Sequence, residues 1–379
     1  MRGANACPAS NLRKVGLLAL RNRKAWVGIL CLLAGVRSQA QPAEKAAAAC
    51  ASCHPAQAQH QPSTPMGEAL FLPSSNPTLR LHPRLTVRKG AYTYRVDTQG
   101  DESTYSVTDG VGTISIPIRW TIGQGMQTWV YERNGSYYES LVSYYPSIQG
   151  LETTVGDESL TPHTLEEAAG RKLTLGDTKD CFACHSTNSV TGGKLTLGSL
   201  QEGVTCEHCH SGSSTHLFDA LQGIFNTAPP SLKKMPTEDI SNFCGQCHRS
   251  WESVVRNHTL GVVNVRFQPY RLANSRCFSG TDPRIACTAC HDPHQDVVRD
   301  ATAYDGKCQA CHQTKGTAKA PALVKADLPP TLGPRAKPCP VASKDCVSCH
   351  MPKIKMPGGF VTFTDHQIRI VKPGEPYPN

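Results

Sequence analysis

The chain has 379 residues, 39% of them hydrophobic and 6% aromatic, with 18 Cys and 15 His. So little apolar material excludes a large conventional side-chain core, and a mean hydropathy of −0.35 with one long apolar run near the N-terminus excludes a multi-span membrane protein. The formal charge of +9 arises mostly in residues 1–40, which hold seven Lys/Arg and no acid; the remaining 32 basic residues face 30 acidic ones, so the charge carries no nucleic-acid signal.

Arg13, Lys14, Arg21, Arg23 and Lys24 form a basic leader ahead of twelve apolar residues at 25–36. That run is too short to span a bilayer comfortably, and Ser38-Gln39-Ala40 offers the small residues a signal peptidase reads. The reading is a signal peptide over 1–40, against an uncleaved anchor. Cys31 lies inside the apolar run and not at its end, which weakens a lipoprotein reading. Export places the mature chain, with no membrane span, in an oxidising periplasm or cell exterior.

Past the leader, C-x-x-C-H occurs seven times: Cys50-Cys53-His54, Cys181-Cys184-His185, Cys206-Cys209-His210, Cys244-Cys247-His248, Cys287-Cys290-His291, Cys308-Cys311-His312 and Cys346-Cys349-His350. Composition alone predicts about 0.03 such matches. Residues at i, i+3 and i+4 share one face of a helical turn. Two thiols there can add to the two vinyl groups of one haem, and the adjacent His reaches its iron, so the motif signals covalent c-type haem attachment. Structural zinc is the competing reading of paired C-x-x-C units, but zinc does not explain a His after every second Cys. A thioredoxin-type redox motif would not recur seven times. Seven covalently bound c-type haems are therefore expected, with His54, His185, His210, His248, His291, His312 and His350 as proximal iron ligands. Cys277 and Cys339 are left over, as one disulfide or two thiols.

Between the first motif and the second lie 126 residues without one. Thr86-Val87, 92–96, 104–107, 112–118, 127–131 and 136–143 read as strands, with turn signals at Asp109-Gly110 and Asn134-Gly135. An antiparallel β unit is predicted over roughly 84–148. Its aromatics (Trp120, Trp129, Tyr131, Tyr137, Tyr138, Tyr144 and Tyr145) are expected to fill the β core in preference to packing on a haem. Residues 164–172 read as a short helix, and the Pro/Lys-rich stretch 315–340 as a loop.

Six motifs fall within 181–350, a density that leaves no room for an ordinary core, so the porphyrins must fill the interior. The expected fold is α+β: a domain of low secondary-structure content, mainly short helices wrapped around haems, with an N-terminal antiparallel β unit. The expected divisions are a signal peptide at 1–40, a single-haem segment at 41–83, the β unit at 84–150 and a six-haem domain at 151–379.

Eight His remain for the opposite faces of seven irons. A haem with His on both faces suits electron transfer, whereas a missing sixth ligand leaves room for substrate. His82, His216, His294 and His366 are the leading distal candidates. His294 is too close to His291 to serve the same iron. His258 and His163 follow; His60 and Met66 compete for the first haem. His208, between two haem-bonded cysteines, is expected to be packed or solvated.

These residues resemble the exported multihaem c-type cytochromes with doubled C-x-x-C-H motifs. The resemblance rests on Cys206-Glu-His-Cys209-His210-Ser-Gly with His216, on Cys290-His291-Asp-Pro-His294 closely followed by Cys308 to His312, and on Cys349-His350-Met-Pro with Phe363-Thr-Asp-His366. Arg266-Phe267-Gln-Pro-Tyr270-Arg271-Leu272 also looks like such proteins. It covers about 181–370 and is looser over the β unit. It implies bis-His haems in close-packed chains that relay electrons, with His216, His294 and His366 as distal ligands. Some relatives are catalytic through an altered motif or an open iron, but no C-x-x-C-K occurs here, which lowers a nitrite-reductase type of reading.

The sequence thus favours an electron carrier over an enzyme, working between redox partner proteins such as a membrane quinol-oxidising donor or other cytochromes. The alternative is an oxidoreductase with one open haem acting on a small nitrogen or sulfur species; a third reading is a subunit that docks a larger oxidoreductase through the β unit. Spin state discriminates the first two, because an open ferric haem is high-spin.

Overall fold

A computed structural model describes residues 49–312, 339–358 and 360–378. The leader at 1–40 and most of the stretch 315–340 lie outside the described residues. Backbone contacts divide the chain into two units, Met1–Gln59 and His60–Asn379. In the first, Cys50 closes a helical turn with His54, whose N–H donates to the Cys50 carbonyl at 2.8 Å.

The second unit is mixed helix and sheet, and its two larger sheets are antiparallel. Strands β2 (Arg84–Lys89), β3 (Tyr92–Gln99), β4 (Glu102–Thr108) and β5 (Thr113–Pro117) form a meander in chain order. Every second residue faces the core: Tyr92, Tyr94 and Val96 on β3, then Ser103, Tyr105 and Val107 on β4. Asp109 builds the β4–β5 turn by accepting the N–H groups of Val111 and Gly112 at 2.9 and 2.8 Å.

The other sheet runs β1 (Leu70–Phe71), β6 (Trp120–Ile122), β7 (Gln127–Arg133), β8 (Ser136–Tyr145), β10 (Gly170–Lys172), with β9 (Gly150–Thr153) also paired to β8. Asn134 and Gly135 both have positive φ, 50° and 68°, as the tight β7–β8 hairpin requires. Gln127 to Tyr131 are all buried, because both faces of β7 are covered. The expected β unit is present, but as two sheets, with β1, β9 and β10 recruited from beyond its expected limits.

The helix expected over 164–172 is shorter, Leu165–Ala169, and gives way to β10 at Gly170. A Cβ at Gly170 would stand 2.3 Å from the Glu139 carbonyl oxygen and 2.6 Å from the Tyr131 hydroxyl. Only glycine lets this backbone approach β8 so closely, and the pairing overrides the helical pattern. The aromatics fill the β core as expected: Trp129, Tyr131, Tyr144 and Tyr145 are buried. At one place they also reach a haem motif. Phe182, inside Cys181-Phe-Ala-Cys184-His185, packs edge-on against Trp120 and Tyr137.

Asp157 is buried beside this sheet, with Arg171 at 3.5 Å and Oδ2 without a hydrogen-bond partner. Burial, reinforced by the Glu139 carboxylate, pushes its pKa up to about 6. The folded state therefore holds this proton more tightly than the unfolded chain, where the value is about 3.9. Its contribution is fully present below about pH 4 and is lost as pH rises through about 6. Asp157→Asn is expected to remove this pH dependence and raise stability at pH 7 by about 3 kcal/mol. Urea midpoints measured from pH 4 to pH 8 check it; parallel curves for the two proteins would refute it.

Beyond β10 the chain forms short helices joined by irregular segments: Leu175–His185, Cys206–Cys209, Ser213–Leu221, Thr237–His248, Trp251–Arg256, Gln268–Ala273, Cys287–Cys290, Asp305–His312 and Cys346–His350. Thr174 caps the first through a capping box with Asp177. Among the described residues no helix is long and apolar enough to cross a membrane.

Candidate haem-binding site

Each of the seven motifs lies on a helical turn. Four helices end at the motif His: Leu175–His185, Thr237–His248, Asp305–His312 and Cys346–His350. Cys206–Cys209 and Cys287–Cys290 stop one residue earlier, yet the His210 and His291 N–H groups still donate to the Cys206 and Cys287 carbonyls, both at 2.9 Å. The donor set therefore recurs as two thiols and an imidazole on one turn. Among the described residues no group of three or more His, Cys, Asp or Glu is arranged to hold a metal ion directly, as a four-cysteine zinc site would need.

Helix Thr237–His248 touches several motifs. It packs on Leu175–His185, on Gln268–Ala273 and on Cys287–Cys290. Arg249, just after His248, pairs with Asp180, just before Cys181, at 2.9 Å. Cys184 and Cys247 are within hydrogen-bonding reach, as are Cys244 and Cys287. Further along, the His291 ring lies 5.7 Å from that of Tyr304, which leads into Asp305–His312. The Asp305 carboxylate then accepts the N–H groups of Asp345 and Cys346 at 2.7 and 2.8 Å, which caps the last motif helix from another segment of chain.

The spare His are distributed unevenly. His294 faces His210, with ring centroids 6.1 Å apart and planes 4° from parallel. His366 faces His291 at 6.2 Å and 46°. Both separations are too long for ring-on-ring stacking at van der Waals contact. Two imidazoles that held one metal between them would have centroids about 6 Å apart, so these spacings fit a pair of His that would hold one iron. His294 Nδ1 faces the Asp292 carboxylate at 3.2 Å, and His366 and His350 direct Nδ1 at the Thr364 and Arg369 carbonyls, at 3.0 and 2.8 Å. Such contacts would fix the tautomer and leave Nε2 as the nitrogen that could hold a metal. Burial pushes the pKa of His185 and of His366 down to about 4, which keeps both in the neutral, metal-binding form.

Elsewhere, His82 Nε2 lies 2.9 Å from the Tyr144 hydroxyl in the β unit. His216 is half-buried on Ser213–Leu221. His163, His258 and His60 are exposed, and Met66 is half-buried. His208 is packed: its ring hydrogen-bonds to the Ser186 backbone. Cys277 and Cys339 are both exposed and are not bridged to each other; Cys277 lies near Cys308 and Cys311.

Sequence reasoning quoted Arg271 and the Asp before His366 only as parts of motifs and missed that they meet. Arg271 is fully buried and forks onto Asp365 at 2.8 and 3.0 Å, while also donating to Asn264, Gln367 and the Pro378 carbonyl. Arg369 donates to the same Asp365 at 2.6 Å. The available signal was a charged residue beside Phe267, Tyr270 and Leu272 and an Asp immediately before His366.

Residues 152–211, which include the second and third motifs, match the family model for cytochrome c554 and c-prime. Among solved structures, the outer cell wall cytochrome OcwA is similar over 86% of this chain and 79% of that one, at a TM-score of 0.45 and 12% identity. No curated protein matches the chain. Over residues 152–211 the chain is thus similar to the cytochrome c554 and c-prime family.

Proposed function

We propose that this chain is an exported electron-transfer cytochrome that binds seven c-type haems and passes electrons between redox partner proteins. The observation that carries the reading is the pairing of motif His with distant His, His210 with His294 and His291 with His366, at the separation of two axial ligands. Haem supplies a one-electron store at its iron; the protein supplies ligands, burial and nearby charge, which set the potential. Bis-His ligation fills the iron and favours outer-sphere electron exchange over substrate binding.

The contacts between motif helices support a route. Motifs at 181–185 and 244–248 adjoin through Arg249–Asp180. The route continues to 287–291, to 308–312 through Tyr304, and to 346–350 through Asp305. Partners would be a quinol-oxidising membrane donor, or other cytochromes, on one side and a periplasmic or external acceptor on the other. Propionates add negative charge to a nearly neutral mature chain, so docking should weaken with salt.

A pyridine haemochrome assay combined with the intact mass of the mature chain tests the premise, with seven haems expected and four or fewer refuting it. Electron paramagnetic resonance of the oxidised protein is expected to show mainly low-spin iron. A high-spin ferric signal that shifts with nitrite or hydroxylamine would overturn the carrier reading in favour of catalysis at an open haem.

A further inference from the structure

Buried ion pairs are poor stabilisers, because desolvating the two charges costs about what their attraction returns. A fully buried Arg271 and Asp365 therefore ask for another reason. Five groups converge on the Arg271 guanidinium: the two Asp365 oxygens, Asn264 Oδ1 at 3.3 Å, Gln367 Oε1 at 2.6 Å and the Pro378 carbonyl at 2.7 Å. The Tyr377 ring covers it at 4.5 Å. Nearly every donor of the planar fork is used, so Arg271 has one position and imposes one on Asp365.

Asp365 stands directly before His366 and is also held by Arg369. The Arg369 carbonyl in turn accepts from His350 Nδ1. Ser275 adds a second tie, donating to the His366 carbonyl at 3.2 Å and accepting the Ile368 N–H at 2.8 Å. The backbone around both imidazoles is thus pinned to one carboxylate. We propose that Arg271 and Asp365 are positioning residues that fix His366 as the distal ligand opposite His291 and, through Arg369, orient the proximal His350. One buried clasp would then tune two haems together.

This proposal rests on the reading of His366 as an axial ligand, and the test separates the two. Full-length, haem-loaded variants are compared by spin quantitation in electron paramagnetic resonance, by haemochrome count and by redox titration. His366→Ala is expected to convert one haem from low-spin to high-spin with seven haems retained, and added imidazole should reverse it. Arg271→Met and Asp365→Asn should give the same high-spin species in part of the molecules, again reversed by imidazole, and should shift the potentials of two haems. Arg271→Lys keeps the charge but loses the fork, so it should show a smaller high-spin fraction. It also serves if Arg271→Met fails to accumulate. A silent His366→Ala would remove the ligand assignment and the clasp with it. A high-spin His366→Ala beside Arg271 and Asp365 variants with wild-type spectra and potentials would overturn the clasp alone.

Discussion

Replacing Cys244 and Cys247 together by Ala is expected to cost the protein more than one haem. Helix Thr237–His248 is where the motif region is knitted together: it packs on the helices of the second and fifth motifs and on Gln268–Ala273. Gly245 lets Ser250 come so close that a Cβ there would stand 2.7 Å from the Ser250 side chain. Thr237 and Glu238 tie the helix start to the Asp282 and Gly280 carbonyls at 2.7 and 3.0 Å. A haem anchored here would fill the space between several short helices that have little apolar surface of their own, so its loss should loosen its neighbours. The same double substitution at Cys50 and Cys53, in the separate unit Met1–Gln59, should cost one haem only. Intact mass and haemochrome ratio distinguish the two, with limited proteolysis as a second readout. Equal losses of a single haem from both variants would refute the central role.

Phe182→Ala is expected to destabilise the β unit by about 3–5 kcal/mol, the usual range for deleting a buried phenyl ring. Phe182 has no exposed surface and meets Trp120 at 4.9 Å and 81°, an edge-to-face contact. Leu70, Ile122, Val130 and Leu173 complete its surroundings. Chemical denaturation followed by circular dichroism measures the loss. Val111→Ala, at a side chain 98% exposed in a turn, is the control and should fall within about 0.5 kcal/mol of the parent. A loss below about 1 kcal/mol for Phe182→Ala would mean that the motif helix and the sheet are energetically separate.

What was legible in the sequence was local. The motif turns follow from i, i+3, i+4 spacing, and the β7–β8 hairpin follows from Asn134-Gly135, whose conformational preference needs no tertiary partner. The alternation along β3 and β4 reported the buried face directly. Gly170 was misread because what decides its conformation, the Glu139 carbonyl, lies 31 residues earlier in the chain. The Arg271–Asp365 pair spans 94 residues and leaves no periodic trace. His294 and His366 were singled out by their sequence context, but which motif His each one meets is a matter of long-range packing. His82 was also singled out by its position in the chain, and its Nε2 lies 2.9 Å from the Tyr144 hydroxyl in the sheet, a contact that no local pattern announces.

The seating of Phe182 bears on biogenesis. Its neighbour Cys181 packs against the same apolar cluster. Cys181 is half-buried there, so closing the cluster would narrow an attachment enzyme's access to its sulfur. Pigment would go on more readily at this position while the sheet is still open, and a strand that folded early would hinder the ligase. The fold itself would then favour a schedule of maturation, with covalent loading ahead of β closure.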